Sequence, residues 1–169
     1  MPAHHVPDDD HSARMRLDSA HGYFALGMRE DAWMELESVT VTYGDSIEVR
    51  ELTLCFLLSE RRWGEALAVS RTICETMPDA DIGFIHAAYC LHEMGETSTA
   101  CETLRDGPTT LNSNPLYHYN LGCYHAVLGD LSEAANALTQ AFKLDCKLAE
   151  MAKTDPDLIG IREILDALD

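Results

Sequence analysis

Residues 116–144, LYHYNLGCYHAVLGDLSEAANALTQAFKL, contain one nearly complete structural unit. Just ahead of them, Asn114-Pro115 offers a capping side chain followed by a proline suited to a first helical position. A helix can then run to Gly129, where a left-handed residue ends it at no steric cost to glycine. Asp130 stands where a cap for a second helix belongs. Gly122 on the first helix and Ala134 on the second are small enough to let the two axes approach, while Leu138 supplies bulk between neighbouring units. The stretch therefore reads as two antiparallel helices joined by a tight turn.

The unit recurs with a period of 34 residues, seen most plainly in Ala32, Ala66, Ala100 and Ala134. With units starting at Ala13, Ile47, Asp81 and Pro115, place 15 reads Gly27, Arg61, Gly95 and Gly129. Place 24 reads Leu36, Ser70, Leu104 and Leu138, and place 8 reads Ala20, Leu54, Ala88 and Gly122.

These residues resemble the tetratricopeptide repeat (TPR), whose pattern runs W-x2-L-G-x2-Y, then A-x3-F, then P. The fourth unit matches best, with Leu121-Gly122, Gly129, Ala134 and Ala141 in the family's places. The second unit carries Arg61 in place of the turn glycine, although Trp63, Ala66 and Pro78 hold register. The family's tryptophan at place 4 is replaced by Arg16, Arg50, Phe84 and His118. The resemblance implies an all-α fold, a right-handed α-solenoid of four TPR-like helix hairpins at 13–46, 47–80, 81–114 and 115–148. A flexible acidic, histidine-containing leader, 1–12, would precede them and a capping segment, 149–169, would follow.

The tail LAEMAKTDPDLIGIREILDALD is similar to the closing segment of many bacterial stand-alone repeat proteins. Its residues predict that Asp155 caps a helix begun by Pro156. Leu158, Ile161, Ile164 or Leu165, and Leu168 would form one apolar stripe on it. Such a helix would close the stacking face of the last repeat, the alternative being a docking helix for another protein.

The net charge of −17 over 169 residues argues against a nucleic-acid backbone or an anionic membrane as the main partner. No secretory signal is visible at MPAHHVPDDDH, and a cytoplasmic location is expected. Six widely spaced cysteines without a CxxC pair read as reduced, small apolar packers rather than a disulfide frame or zinc site. No HExxH, GxSxG, P-loop or Rossmann fingerprint is present, so neither catalysis nor a cofactor is expected.

In the family, ligand peptides lie on places 2, 5, 9 and 12 of the first helix of each hairpin. Carried over, these are Arg14, Leu17, His21 and Phe24, then Glu48, Glu51, Cys55 and Leu58. The third unit gives Ile82, Ile85, Tyr89 and His92, and the fourth Leu116, Tyr119, Cys123 and Ala126. The lysine, arginine and asparagine set with which some relatives grip a C-terminal carboxylate is absent, Leu17, His21, Leu52, Ile82 and His86 standing instead. A largely apolar groove is implied, fitted to a protein or peptide that inserts apolar side chains and brings basic residues to meet Glu48, Glu51 and Glu93. Alternatively the inner face is core, or the N-terminal segment folds across it.

The leading expectation is a non-catalytic protein–protein interaction adaptor or chaperone-like scaffold binding a peptide in that groove. Its rivals are a self-assembling homodimer and a chaperone similar to those of type III secretion. His118 and His125 read as satisfied core residues, and His86 with His92, six apart, do not share a helix face for a metal. Removal of Met1 would leave Pro2-Ala3-His4, whose amine, amides and imidazole suit copper or nickel, against a plain solvated leader as the alternative.

Overall fold

A computed structural model describes residues 5–7, 10–44 and 46–162. Its helices are α1 (His11–Ala25), α2 (Arg29–Tyr43), α3 (Ile47–Ser59), α4 (Trp63–Thr76), α5 (Asp81–Glu93), α6 (Thr97–Arg105), α7 (Pro115–Val127), α8 (Leu131–Leu144) and α9 (Lys147–Ala152). Two 3-10 segments, Thr109–Ser113 and Pro156–Ile161, complete the described elements. The fold is all-α, built of TPR-like hairpins in which α1 packs on α2, α3 on α4, α5 on α6 and α7 on α8. Among the described residues no helix is long and apolar enough to cross a membrane.

The 34-residue period is written into the backbone at the four hairpin turns. Gly27, Gly95 and Gly129 take φ of 77°, 84° and 83°, and Arg61 takes 56°. In each turn the next residue's N–H reaches back across the helix end, from Met28 to Tyr23 at 2.9 Å and from Arg62 to Leu57 at 2.9 Å. Glu96 reaches Leu91 at 2.8 Å and Asp130 reaches His125 at 2.9 Å. This left-handed cap satisfies carbonyls that a helix end would otherwise orphan. Asp130 occupies the cap position of α8, but its side chain makes no capping bond there. Its carboxylate lies instead 3.5 Å from His125 Nδ1.

The hairpins close on small residues. Ala32, Ala66, Ala100 and Ala134 are fully buried, as are Ala20 and Ala88 at place 8. A Cβ added to Gly122 would sit 2.5 Å from Leu138 Cγ, so only glycine fits at that crossing. The missing tryptophan at place 4 is replaced by local links. Arg16 pairs with Glu35 at 2.8 Å, Arg50 donates to Thr76 Oγ1 at 2.9 Å, and His118 Nε2 donates to the Asn112 carbonyl at 2.9 Å.

The chain divides into two compact units, Met1–Met77 and Pro78–Asp169. In the first, α3 lies against α1 and α2. The core there gathers Val6, Ala13, Ala20, Leu36, Val49 and Phe56. Phe24 stacks on Phe56 at 4.1 Å and Trp33 meets the same ring edge-on at 5.2 Å. In the second unit, α7 lies against α5 and α6 as well as α8, and α9 continues from α8 and packs on it.

The described part of the tail departs from the predicted amphipathic α-helix. Pro156–Ile161 is a 3-10 segment, and it lies against α7. Leu158 and Ile161 are buried, as the stripe predicts, whereas Ile164, Leu165 and Leu168 lie outside the described residues. The thiols also divide. Cys90, Cys101 and Cys123 are buried packers, but Cys55 and Cys146 are exposed.

Candidate functional site

The helices α1, α3, α5 and α7 are the first helices of their hairpins. The side of each that carries places 2, 5, 9 and 12 is called its A face. In each unit a stretch of the chain outside the hairpins lies on this face.

In the first unit the occupant is His5-Val6-Pro7. The Val6 N–H donates to Glu48 Oε2 at 3.2 Å, and His5 Nδ1 lies 3.0 Å from Glu48 Oε1. Arg14 donates to the Val6 carbonyl at 3.2 Å. Val6 is only 2% exposed, a methyl-bearing plug at the start of α1 and α3. Desolvation raises the Glu48 carboxyl, but hydrogen bonds from its own backbone N–H, from His5 and from Val6 outweigh it and hold the group below its ordinary value, whereas Glu51 is raised by partial desolvation and by the neighbouring Glu48 charge. Of the groove residues in this unit, His21 and Cys55 are exposed, Leu58 is half-buried, and Leu17 and Phe24 turn partly into the core.

In the second unit the occupant is Asp155-Pro156-Asp157-Leu158. Tyr119 Oη donates to Asp155 Oδ2 at 2.7 Å, and the Cys123 thiol approaches the same oxygen at 3.7 Å. His92 Nε2 lies 3.0 Å from Asp157 Oδ2, and because a carboxylate accepts only, Nε2 carries the proton. The other ring nitrogen of His92 meets Thr97 Oγ1 at 3.0 Å. The turn is self-supporting, since Asp155 Oδ1 accepts the Asp157 N–H at 3.0 Å. Leu158 is fully buried.

Of the two alternatives, an open groove or a filled inner face, Ile85, Tyr119 and Cys123 show the filled one. All three are buried, and Tyr119 and Cys123 are engaged by the chain's own carboxylate. The sequence separation of the ties, 36 residues for Tyr119–Asp155 and 65 for His92–Asp157, has no period and leaves no local signal. Ile82 and Tyr89 are half-buried, and Leu116 remains 43% exposed at the start of α7.

Burial first, and then the Asp155 carboxylate, push the Tyr119 phenol and the Cys123 thiol well above their ordinary values. Both stay protonated and act as donors at neutral pH. The ligand atoms of Cys123, Asp155 and Asp157 lie within 4.8 Å of one another and could by spacing surround a metal. In the structure Tyr119 and Cys123 both present hydrogens to Asp155, so the groups form a hydrogen-bonded latch. His125 behaves as a satisfied core residue, accepting from Arg105 at 2.9 Å, and burial lowers the basicity of His86. His4 lies outside the described residues.

The sequence matches no protein-family model and no curated protein. By structure it is similar to a thermophilic TPR protein of Thermus thermophilus, with a TM-score of 0.70. The likeness covers 88% of this chain and 86% of that one at 19% sequence identity. The hairpin register and this likeness agree: the chain has the tetratricopeptide-repeat fold.

Proposed function

We propose that the protein is a non-catalytic protein–protein interaction adaptor that binds a peptide segment on the A faces of its helices. The observation that carries this reading is that both A faces already hold short stretches of polypeptide, through side chains at the places where TPR proteins hold ligands. Glu48 takes a backbone N–H and an imidazole, and Tyr119 and His92 take carboxylates. Exposed His21, Glu51, Cys55 and Leu116 lie on the same faces. A net charge of −17 would hasten the arrival of a partner with basic residues near Glu48 and Glu51.

The test is selection of a random-peptide display library on the full chain, followed by titration of the selected peptides against His21→Glu, Cys55→Glu and Leu116→Glu. These positions are exposed, so the fold survives the substitutions. At least one substitution should weaken each selected peptide by about tenfold, about 1.4 kcal/mol. Peptides indifferent to all three, or a library that yields none, would refute the adaptor reading.

A further inference from the structure

The second unit's A face is built to receive an acidic turn. Three of its polar groups, Tyr119 Oη, Cys123 Sγ and His92 Nε2, present hydrogens, and they converge on two carboxylates two residues apart. Buried donors need acceptors, because leaving them unpaired costs their full desolvation. Tyr119 is 3% and Cys123 4% exposed, so water does not supply those acceptors while the face is covered. The next residue of the occupant, Leu158, adds a fully buried apolar anchor. The occupant itself is short. It reaches α7 through the turn at Lys153-Thr154, after α9 has ended at Ala152. The α5–α6 and α7–α8 hairpins close on small residues of their own, separately from this segment.

We propose that Asp155-Pro156-Asp157-Leu158 is a displaceable self-ligand, and that the A face of the second unit docks an Asp-x-Asp-Leu turn of a partner protein in its place. This rests on the adaptor reading and gives it a ligand class. It also reverses, for this unit, the basic partner expected from the acidic composition. The first unit's face offers an acceptor in Glu48 and a donor in Arg14, while Tyr119, Cys123 and His92 of the second unit's face donate.

The experiment uses the full chain and the labelled peptide TDPDLIGIR, the sequence of residues 154–162. A self-ligand tethered nearby competes at an effective concentration on the order of millimolar. Wild type should therefore bind the peptide weakly, and the Asp155→Ala, Asp157→Ala variant at least about tenfold more tightly. Adding Tyr119→Phe or His92→Ala to that variant should remove most of the gain, as should the peptide TNPNLIGIR. Reactivity of Cys123 towards a thiol reagent gives a second readout: faster in the opened variant, slowed again by the acidic peptide. If the double variant does not fold, Asp157→Asn alone should show the same two trends to a smaller degree.

Equal binding of TDPDLIGIR and TNPNLIGIR would overturn the ligand class. So would failure of the opened chain to bind either, with Cys123 still protected. If wild type doubles in mass by light scattering and the Asp155→Ala, Asp157→Ala variant does not, the turn is exchanged between copies and the partner peptide is overturned. Display peptides that map to His21, Cys55 or Leu116 but lack the Asp-x-Asp-Leu signature would sink this proposal and leave the adaptor reading standing. If no peptide is found by either route, both fall.

Discussion

Replacing Gly122 by alanine sets two opposing effects against each other at one atom. In an exposed helix interior the change would stabilise by about 1 kcal/mol, because alanine loses less backbone entropy than glycine. At Gly122 the new Cβ would stand 2.5 Å from Leu138 Cγ, 2.8 Å from Leu138 Cδ2 and 3.4 Å from the Ala134 carbonyl oxygen. Leu138 is fully buried and has nowhere to rotate, so α7 and α8 must separate or the leucine must leave its rotamer. Overpacking of this kind costs about 1–3 kcal/mol. With a carbon more than an ångström inside contact distance the upper end applies, and Gly122→Ala should be destabilising by about 2 kcal/mol net of the propensity gain. Gly22, inside α1 and exposed, has no atom within 4 Å of an added Cβ and serves as the control. Gly22→Ala should stabilise by about 1 kcal/mol. Urea denaturation followed by circular dichroism measures both. Leu138→Ala placed in the Gly122→Ala background should recover part of the loss, a coupling of about 1 kcal/mol or more. If Gly122→Ala stabilises as Gly22→Ala does, the close approach of α7 and α8 is wrong and the reason given for small residues at place 8 goes with it.

Arg61→Gly should raise stability by about 1 kcal/mol, since a side-chain-bearing residue at φ 56° carries a left-handed penalty that glycine does not; a lower urea midpoint would contradict this. Alkaline pH should weaken the second unit. Burial raises the Cys90 thiol to about 11 and moves Cys101 and Cys123 upward from 9.0, so as pH climbs above the unfolded value the unfolded chain loses protons that the folded chain keeps. Stability is therefore intact below that value and falls above it by about 1.4 kcal/mol per pH unit per thiol, a slope that Cys123→Ala should reduce in pH-dependent urea titrations. Ellman titration of native protein should find Cys55 and Cys146 reacting first, Cys123 slowly as its covering turn opens, and Cys90 and Cys101 only on unfolding; uniform kinetics for all six would refute the burial pattern.

The periodic part of this fold is legible in the residues. Place 15 announces a left-handed turn even where Arg61 stands, because Trp63, Ala66 and Pro78 hold the register of that unit. Place 8 announces a close crossing through Ala20, Ala88 and Gly122, and opposite Leu138 nothing larger than glycine fits, whereas the second unit sets Leu54 at place 8 and the smaller Ser70 at place 24. The candidate site is less legible. Tyr119 and Cys123 can be assigned to a face by counting along a helix, but what covers them comes from a non-repeating segment whose one visible signal is the pair of carboxylates flanking Pro156. That pair reads as a helix start, which satisfies local rules. The competing use of both carboxylates by donors on α5 and α7 is tertiary. At the other end, Val6 lies among leader residues whose composition suggests solvent, and it is buried because Glu48 and Arg14 take its backbone groups.

The absence of tryptophan from place 4 has an optical consequence. The chain's two tryptophans are Trp33 and Trp63, both in the first unit, one of them held by Glu60 at 2.9 Å and edge-on to Phe56. The second unit emits through tyrosine alone, and two of its tyrosines, Tyr119 and Tyr124, are buried. Red-edge excitation therefore follows the first unit in isolation, while tyrosine emission from a Trp33→Phe, Trp63→Phe chain is weighted towards the second. Melting, ligand capture and release of the C-terminal turn can each be assigned to its own half of the molecule without attaching a dye.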